Sequence, residues 1–179
     1  FLVLATQNPI EQEGTYPLPE AQLDRFMFKI QISYPTFEEE LIITETTTAR
    51  EHPVLQPLLS REDILALQQV VRKVIVARPL AMYVVRLIRA TRPGKDAPEF
   101  INKYLTWGAG PRACQSLLLG AKATGLLDGR VNVSTDDIHY ALAPVLRHRL
   151  VTNFRAESDG VSPDNIVEKL IEVVPEEAG

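Results

Sequence analysis

Apolar positions change their spacing once along this chain, and the change divides it. Residues 1–5, Phe1-Leu2-Val3-Leu4-Ala5, form an unbroken apolar run that stops at polar Thr6-Gln7-Asn8-Pro9. That is the pattern of a short strand buried on both faces. Further on, Phe28, Ile30 and Ile32 alternate with Lys29 and Gln31, which predicts a second strand over residues 27–32 with one buried and one wetter face. Between them runs a loop punctuated by Gly14, Pro17 and Pro19. Residues 20–25 follow with proline at their start and read as a short helix. Strand, loop, short helix and strand make the kind of unit from which parallel sheets are assembled.

From Tyr34-Pro35 onward the apolar spacing becomes helical and no further strand is predicted. Thr36 with Glu39, and Ser60 with Asp63, each pair a hydroxyl cap with an acid three residues later. In the second of these helices Ile64, Leu67, Val70, Val71, Val74 and Ile75 share one face, while Glu62, Gln68, Gln69, Arg72 and Lys73 fall elsewhere. Further helices are predicted at about 80–90, from Gly110-Pro111-Arg112 to about 126, from the Ser134 cap to about 149, and over 165–173. The fold class expected is mainly α: a small α/β remnant over residues 1–33, the last strands of a parallel sheet, followed by an all-α helical domain over 34–179. A chain that opens inside an apolar run is expected to begin within a larger sheet.

Composition narrows the function classes. With 179 residues, 45% of them hydrophobic and 23% charged, the chain suits one or two compact domains. A formal net charge of −4 gives no general attraction to nucleic acid or to an anionic membrane, so any bound anion must be held locally. There is no apolar stretch long enough to span a membrane, and the single Cys114 excludes an internal disulfide framework. A reducing, cytoplasmic setting is expected. His52, His139 and His148 lack metal-ligand spacing. Cys114 reads as a buried helix residue, Trp107 as the anchor of the loop before the helix at Pro111, and Arg147-His148-Arg149 as a basic helix end complementing the dipole. Glu11 and Glu13 read as members of a solvated loop.

Ala5-Thr6-Gln7-Asn8-Pro9 and the run from Glu11 through Gly14-Thr15-Tyr16-Pro17-Leu18-Pro19-Glu20-Ala21-Gln22-Leu23-Asp24-Arg25-Phe26 resemble the MoxR family of AAA+ ATPases. So do Trp107-Gly108-Ala109-Gly110-Pro111-Arg112-Ala113, Gly129-Arg130-Val131, Asp136-Asp137-Ile138 and Leu146-Arg147-His148-Arg149-Leu150, which match landmarks of that family's helical lid. Ala109-Gly110 stands where many relatives carry alanine and serine.

The resemblance implies a nucleotide site with parts drawn from several places. Asn8 falls where the family keeps its first sensor, an amide that orients the attacking water, with Thr6 assisting beside it. An Asn-Pro met alone would be a turn former. Arg25, in Leu23-Asp24-Arg25-Phe26, matches the arginine finger that reaches nucleotide on the adjacent subunit. Such fingers are worth roughly 10³ to 10⁵ in rate. Arg112 matches the second sensor, which binds terminal phosphates and couples nucleotide state to the lid angle about Tyr34-Pro35. Here local chemistry agrees, because a cation in a helix's first turn is disfavoured by roughly 0.3 to 1 kcal/mol unless an anion sits there too.

The cofactors implied are ATP and Mg²⁺, yet the sequence contains no G-x-x-x-x-G-K-[ST] phosphate loop, so this segment alone is expected to be inactive. The family further implies assembly into a hexameric ring, partners bearing a von Willebrand factor A domain, and chaperone-like remodelling or metal or cofactor insertion. Rival functions are a helical protein-interaction adaptor and a nucleic-acid-remodelling ATPase, the latter disfavoured by the acidic balance.

Overall fold

In a computed structural model, residues 3–7, 18–49 and 56–176 are described. Residues 1–2, 8–17, 50–55 and 177–179, and with them Asn8, Glu11, Glu13 and His52, lie outside the described residues.

Helices dominate. Their order is α1 (Glu20–Leu23), α2 (Phe37–Thr48), α3 (Arg61–Lys73), α4 (Arg78–Ala90), α5 (Glu99–Tyr104), α6 (Pro111–Leu127), α7 (Thr135–Leu146), α8 (Phe154–Ser158) and α9 (Pro163–Val173). Two short strands, β1 (Leu105–Trp107) and β2 (Val151–Thr152), pair antiparallel. The helix starts follow the sequence closely. Thr36, Ser60, Ser134 and Ser162 each accept a backbone N–H from the third helical residue, whose side chain answers the cap.

The core lies where α6 and α7 pack on each other and on α4 and α9. Tyr83, Leu87, Ile88, Leu117, Ile138, Leu142, Leu146, Ile166 and Leu170 are among its largest fully buried side chains. Tyr83 keeps its hydroxyl 2.9 Å from His139 Nε2, so the polar tip of a buried ring is satisfied. α3 rests on α6 through its last turn. Val74 is buried there, whereas Ile64, Leu67 and Val70 on the same apolar face remain exposed.

Several expectations are corrected. Neither residues 3–7 nor residues 27–32 form a strand among the described residues. A strand needs a partner backbone, and the 24–29 segment instead gives its polar groups to the end of α7: Lys29 N–H donates to Pro144 O at 2.8 Å, and its carbonyls are taken by side chains described below. The sheet that does form, β1 with β2, was not expected, because each strand is too short to show a period. α5 and α8 were likewise unread. Trp107 is 69% exposed, so its ring is not a buried anchor for the loop before α6. The loop before α6 is fixed by close approach: a Cβ on Gly108 would meet the Thr91 carbonyl oxygen at 2.2 Å, and Thr91 Oγ1 accepts the Ala109 N–H at 2.9 Å.

Candidate functional site

Arg112 stands in the first turn of α6. Gly110 is the N-cap and offers no side-chain bond, and Pro111 at N1 fixes the helical φ without a donor to waste. The Thr91 to Ala109 bond, and Arg92 Nε donating to Ala109 O at 3.0 Å, hold the loop that carries this turn against the end of α4. The Arg112 side chain is 48% exposed. Its Nη1 lies 2.7 Å from Asp24 Oδ2.

Asp24 is the C-cap of α1 and precedes Arg25. Its other oxygen, Oδ1, accepts from Arg149 Nε at 2.9 Å. Arg149 is 1% exposed, an unusual place for a guanidinium, and it is kept there by a full set of acceptors. Its Nη2 donates to Asp24 O at 2.9 Å and Phe26 O at 2.7 Å, and its Nη1 to Met27 O at 3.3 Å and to Val145 O. Burial pulls the Arg149 pKa down and the Asp24 carboxylate pushes it back up.

The neighbouring residues of the triplet continue the same grip. Arg147 Nη1 donates to Lys29 O at 2.9 Å, while its Nε and Nη2 bind the Asp164 carboxylate on α9. His148 Nε2 lies 3.1 Å from Phe26 O, and only a protonated Nε2 can donate there. Nδ1 is buried with no partner among the described residues. A second proton on this ring would be buried without an acceptor, and burial together with the Arg149 charge lowers the His148 pKa. Phe28 completes the docking: its ring tip occupies the space above Gly120, where a Cβ would come within 2.9 Å of it.

The structure therefore brings together the segment around Arg25 and the turn bearing Arg112. Arg25 itself is exposed, and so is Thr6, which no hydrogen bond joins to either arginine among the described residues. Asn8 lies outside the described residues. Sequence reasoning missed Arg149. Its triplet was read as a helix-end complement to the dipole, whereas it serves as the receptor for a segment more than a hundred residues earlier. No local pattern signals this role, because the partner segment lies far away in the sequence.

Other landmarks are structural. Arg130 holds Asp137 through both oxygens at 2.7 Å, and Asp137 also closes the Ser134 capping box. These bonds hold the Asp137 pKa down at about 2. Cys114 on α6 is partly buried, and burial pushes its thiol up. No His, Cys, Asp and Glu cluster suited to a metal ion occurs among the described residues, and no helix among them is long and apolar enough to cross a membrane.

Residues 99–170 match the family described as the AAA lid domain, and residues 1–28 match the ATPase family associated with various cellular activities (AAA). The chain is 41% identical over 175 residues to chaperone MoxR1 of Mycobacterium tuberculosis, a match covering 97% of this chain and 46% of that protein. The chain belongs to the MoxR family of AAA+ ATPases. This MoxR-family chain is also 38% identical to the uncharacterized protein YeaC of Bacillus subtilis, over 97% of its own length and 52% of YeaC. A crystal structure of a candidate ATPase from Cytophaga hutchinsonii superposes with a TM-score of 0.91 at 39% identity, covering 98% of this chain and 54% of that one. The chain thus spans about half the length of the relatives it matches.

Proposed function

We propose that this chain supplies the nucleotide-sensing end and the helical lid of a MoxR-type ATPase whose ATP turnover drives chaperone-like remodelling of protein partners or insertion of a metal or cofactor. The boundary between the two parts falls at Tyr34-Pro35. In this reading Arg112 senses the terminal phosphates of ATP, and Asn8, with Thr6 beside it, orients the attacking water. Arg25 reaches the nucleotide of the next subunit in a hexameric ring, and proteins with a von Willebrand factor A domain are the partners.

One observation carries the reading: a half-exposed arginine in the first turn of a long helix sits 2.7 Å from the acid that precedes the second candidate arginine. The α6 macrodipole disfavours a cation there, and phosphate would turn that cost into a gain. ATP with Mg²⁺ supplies the phosphoryl group and neutralises its charge. For this chain's residues the work is electrostatic and positional, which is most of what phosphoryl transfer asks of a protein.

The whole protein tests this directly. Arg25→Ala is expected to lower turnover by about 10³. Mixing that variant with subunits whose phosphate loop is disabled is expected to restore activity, because an intact nucleotide site then meets an intact Arg25 from its neighbour. No recovery at any ratio, in rings shown to be mixed, would remove Arg25 from the finger role.

A further inference from the structure

Asp24 divides its carboxylate between two unlike arginines. Oδ1 faces Arg149, which is sequestered, and Oδ2 faces Arg112, which is half exposed. The Arg149 contact cannot be exchanged cheaply, since removing its anion would leave a buried charge unpaired. The Arg112 contact is solvated and weak, so a phosphate carrying more negative charge can displace it.

The backbone around Arg25 is fixed at the same time. Arg149 takes the carbonyls of Asp24, Phe26 and Met27, and His148 shares that of Phe26. Arg25 lies in this clamped stretch and is exposed.

We propose that Asp24 is a positioning residue that couples the two arginines: anchored by Arg149, it parks Arg112 while no phosphate is present. When phosphate takes Arg112, Asp24 stays with Arg149 and keeps the Arg25 backbone set for the neighbouring subunit. This rests on the reading of Arg112 and Arg25 given above. The chemistry it adds is a competition between one carboxylate and the terminal phosphates for the same guanidinium.

The competition predicts opposite changes in binding and turnover, which a merely structural acid would not produce. In the whole protein, Asp24→Asn frees Arg112, so binding of an ATP analogue with a β,γ-imido bridge, in the presence of Mg²⁺, is expected to tighten by about tenfold. The same variant is expected to lower kcat by about tenfold, since Arg149 loses its counter-charge and the clamp loosens. Arg149→Lys keeps the charge but not the fork, so kcat falls while analogue binding does not tighten. In an Arg112→Ala background, Asp24→Asn should leave analogue affinity unchanged to within about twofold.

Tightening that persists without Arg112, or weaker analogue binding in Asp24→Asn, overturns the coupling. The mixed-ring experiment separates this failure from failure of the underlying reading. If Arg25→Ala abolishes turnover in trans while Asp24→Asn leaves both constants within about twofold, the finger stands and the coupling alone falls. If Arg25→Ala leaves turnover intact, the finger assignment fails and takes the coupling with it.

Discussion

At the scale of single residues, the acids of this chain separate by what surrounds them. Asp137 is 2% exposed and accepts from both terminal nitrogens of Arg130 and from the Ser134 backbone and hydroxyl. Asp24 is more open and faces one partner that water can replace. The first arrangement is built to stay and the second to change. Because the Asp137 pKa is lowered from 3.8 to about 2, its stabilisation is fully present above 3.8 and is lost as pH falls through that window. Arg130→Ala is expected to cost about 2 kcal/mol near neutral pH, by leaving a buried carboxylate with only its cap partners. Urea denaturation of both proteins across the acid range checks this, since the difference between them should shrink as Asp137 becomes protonated in each. A constant difference down to the lowest pH would assign the loss to packing of the Arg130 stem instead.

At the scale of elements, what could be read from the sequence was whatever is decided locally. Capping residues act within a few positions, so the starts of α2, α3, α7 and α9 at Thr36, Ser60, Ser134 and Ser162 agree with their boxes. The alternation of Phe28, Ile30 and Ile32 is also local, but it names only residues suited to a strand and cannot supply the partner. In the fold Phe28, still 38% exposed, lays its ring tip over Gly120 of α6, while Ile30 and Ile32 are 76% and 92% exposed. β1 and β2 were invisible for the converse reason: Leu105 finds Thr152 across an intervening α6 and α7, a pairing no local pattern carries. The place of Arg112 in the first turn of α6 was legible, because Gly110-Pro111 marks a helix start within a few residues. Arg149 was not, because its burial is decided by a distant segment. Gly120 marks that contact, with the Phe28 ring tip at 2.9 Å and Ala141 Cβ at 3.2 Å from the place its Cβ would occupy. Gly120→Val is therefore expected to expel Phe28, costing about 1 to 3 kcal/mol at this contact. Faster hydrogen exchange at the Lys29 amide, which the Pro144 carbonyl now protects, would register it. An unchanged Lys29 amide would mean that the arginine clamp alone docks the segment.

At the scale of the whole molecule, burial is unevenly distributed, and the imbalance sets what should move. α4, α6, α7 and α9 surround fully buried Tyr83, Leu117, Leu142 and Leu170, so their amides can open only when the core does. α2 is different in kind: it has a complete capping box but every one of its 12 residues is exposed, including Leu41, Ile42 and Ile43. A cap contributes about 1 kcal/mol, and an isolated helix of that length is marginal in water, because most helical stability in proteins comes from packing an apolar face. Three threonines in its last turns bond back to carbonyls four residues earlier, which adds nothing against solvent. α3 lies between these extremes, seated on α6 only by its C-terminal end. Hydrogen exchange on the 179-residue chain should therefore show three levels. The amides of α2 should exchange close to the rate of an unfolded peptide, those of α3 should gain protection toward Val74, and those of α7 should exchange only through global unfolding. In the longer ATPase proposed above, coverage of the exposed apolar residues of α2 and α3 should raise the protection of both helices toward that of α7. Equal protection of α2 and α7 in the 179-residue chain would show that α2 is held by contacts beyond its own backbone and cap.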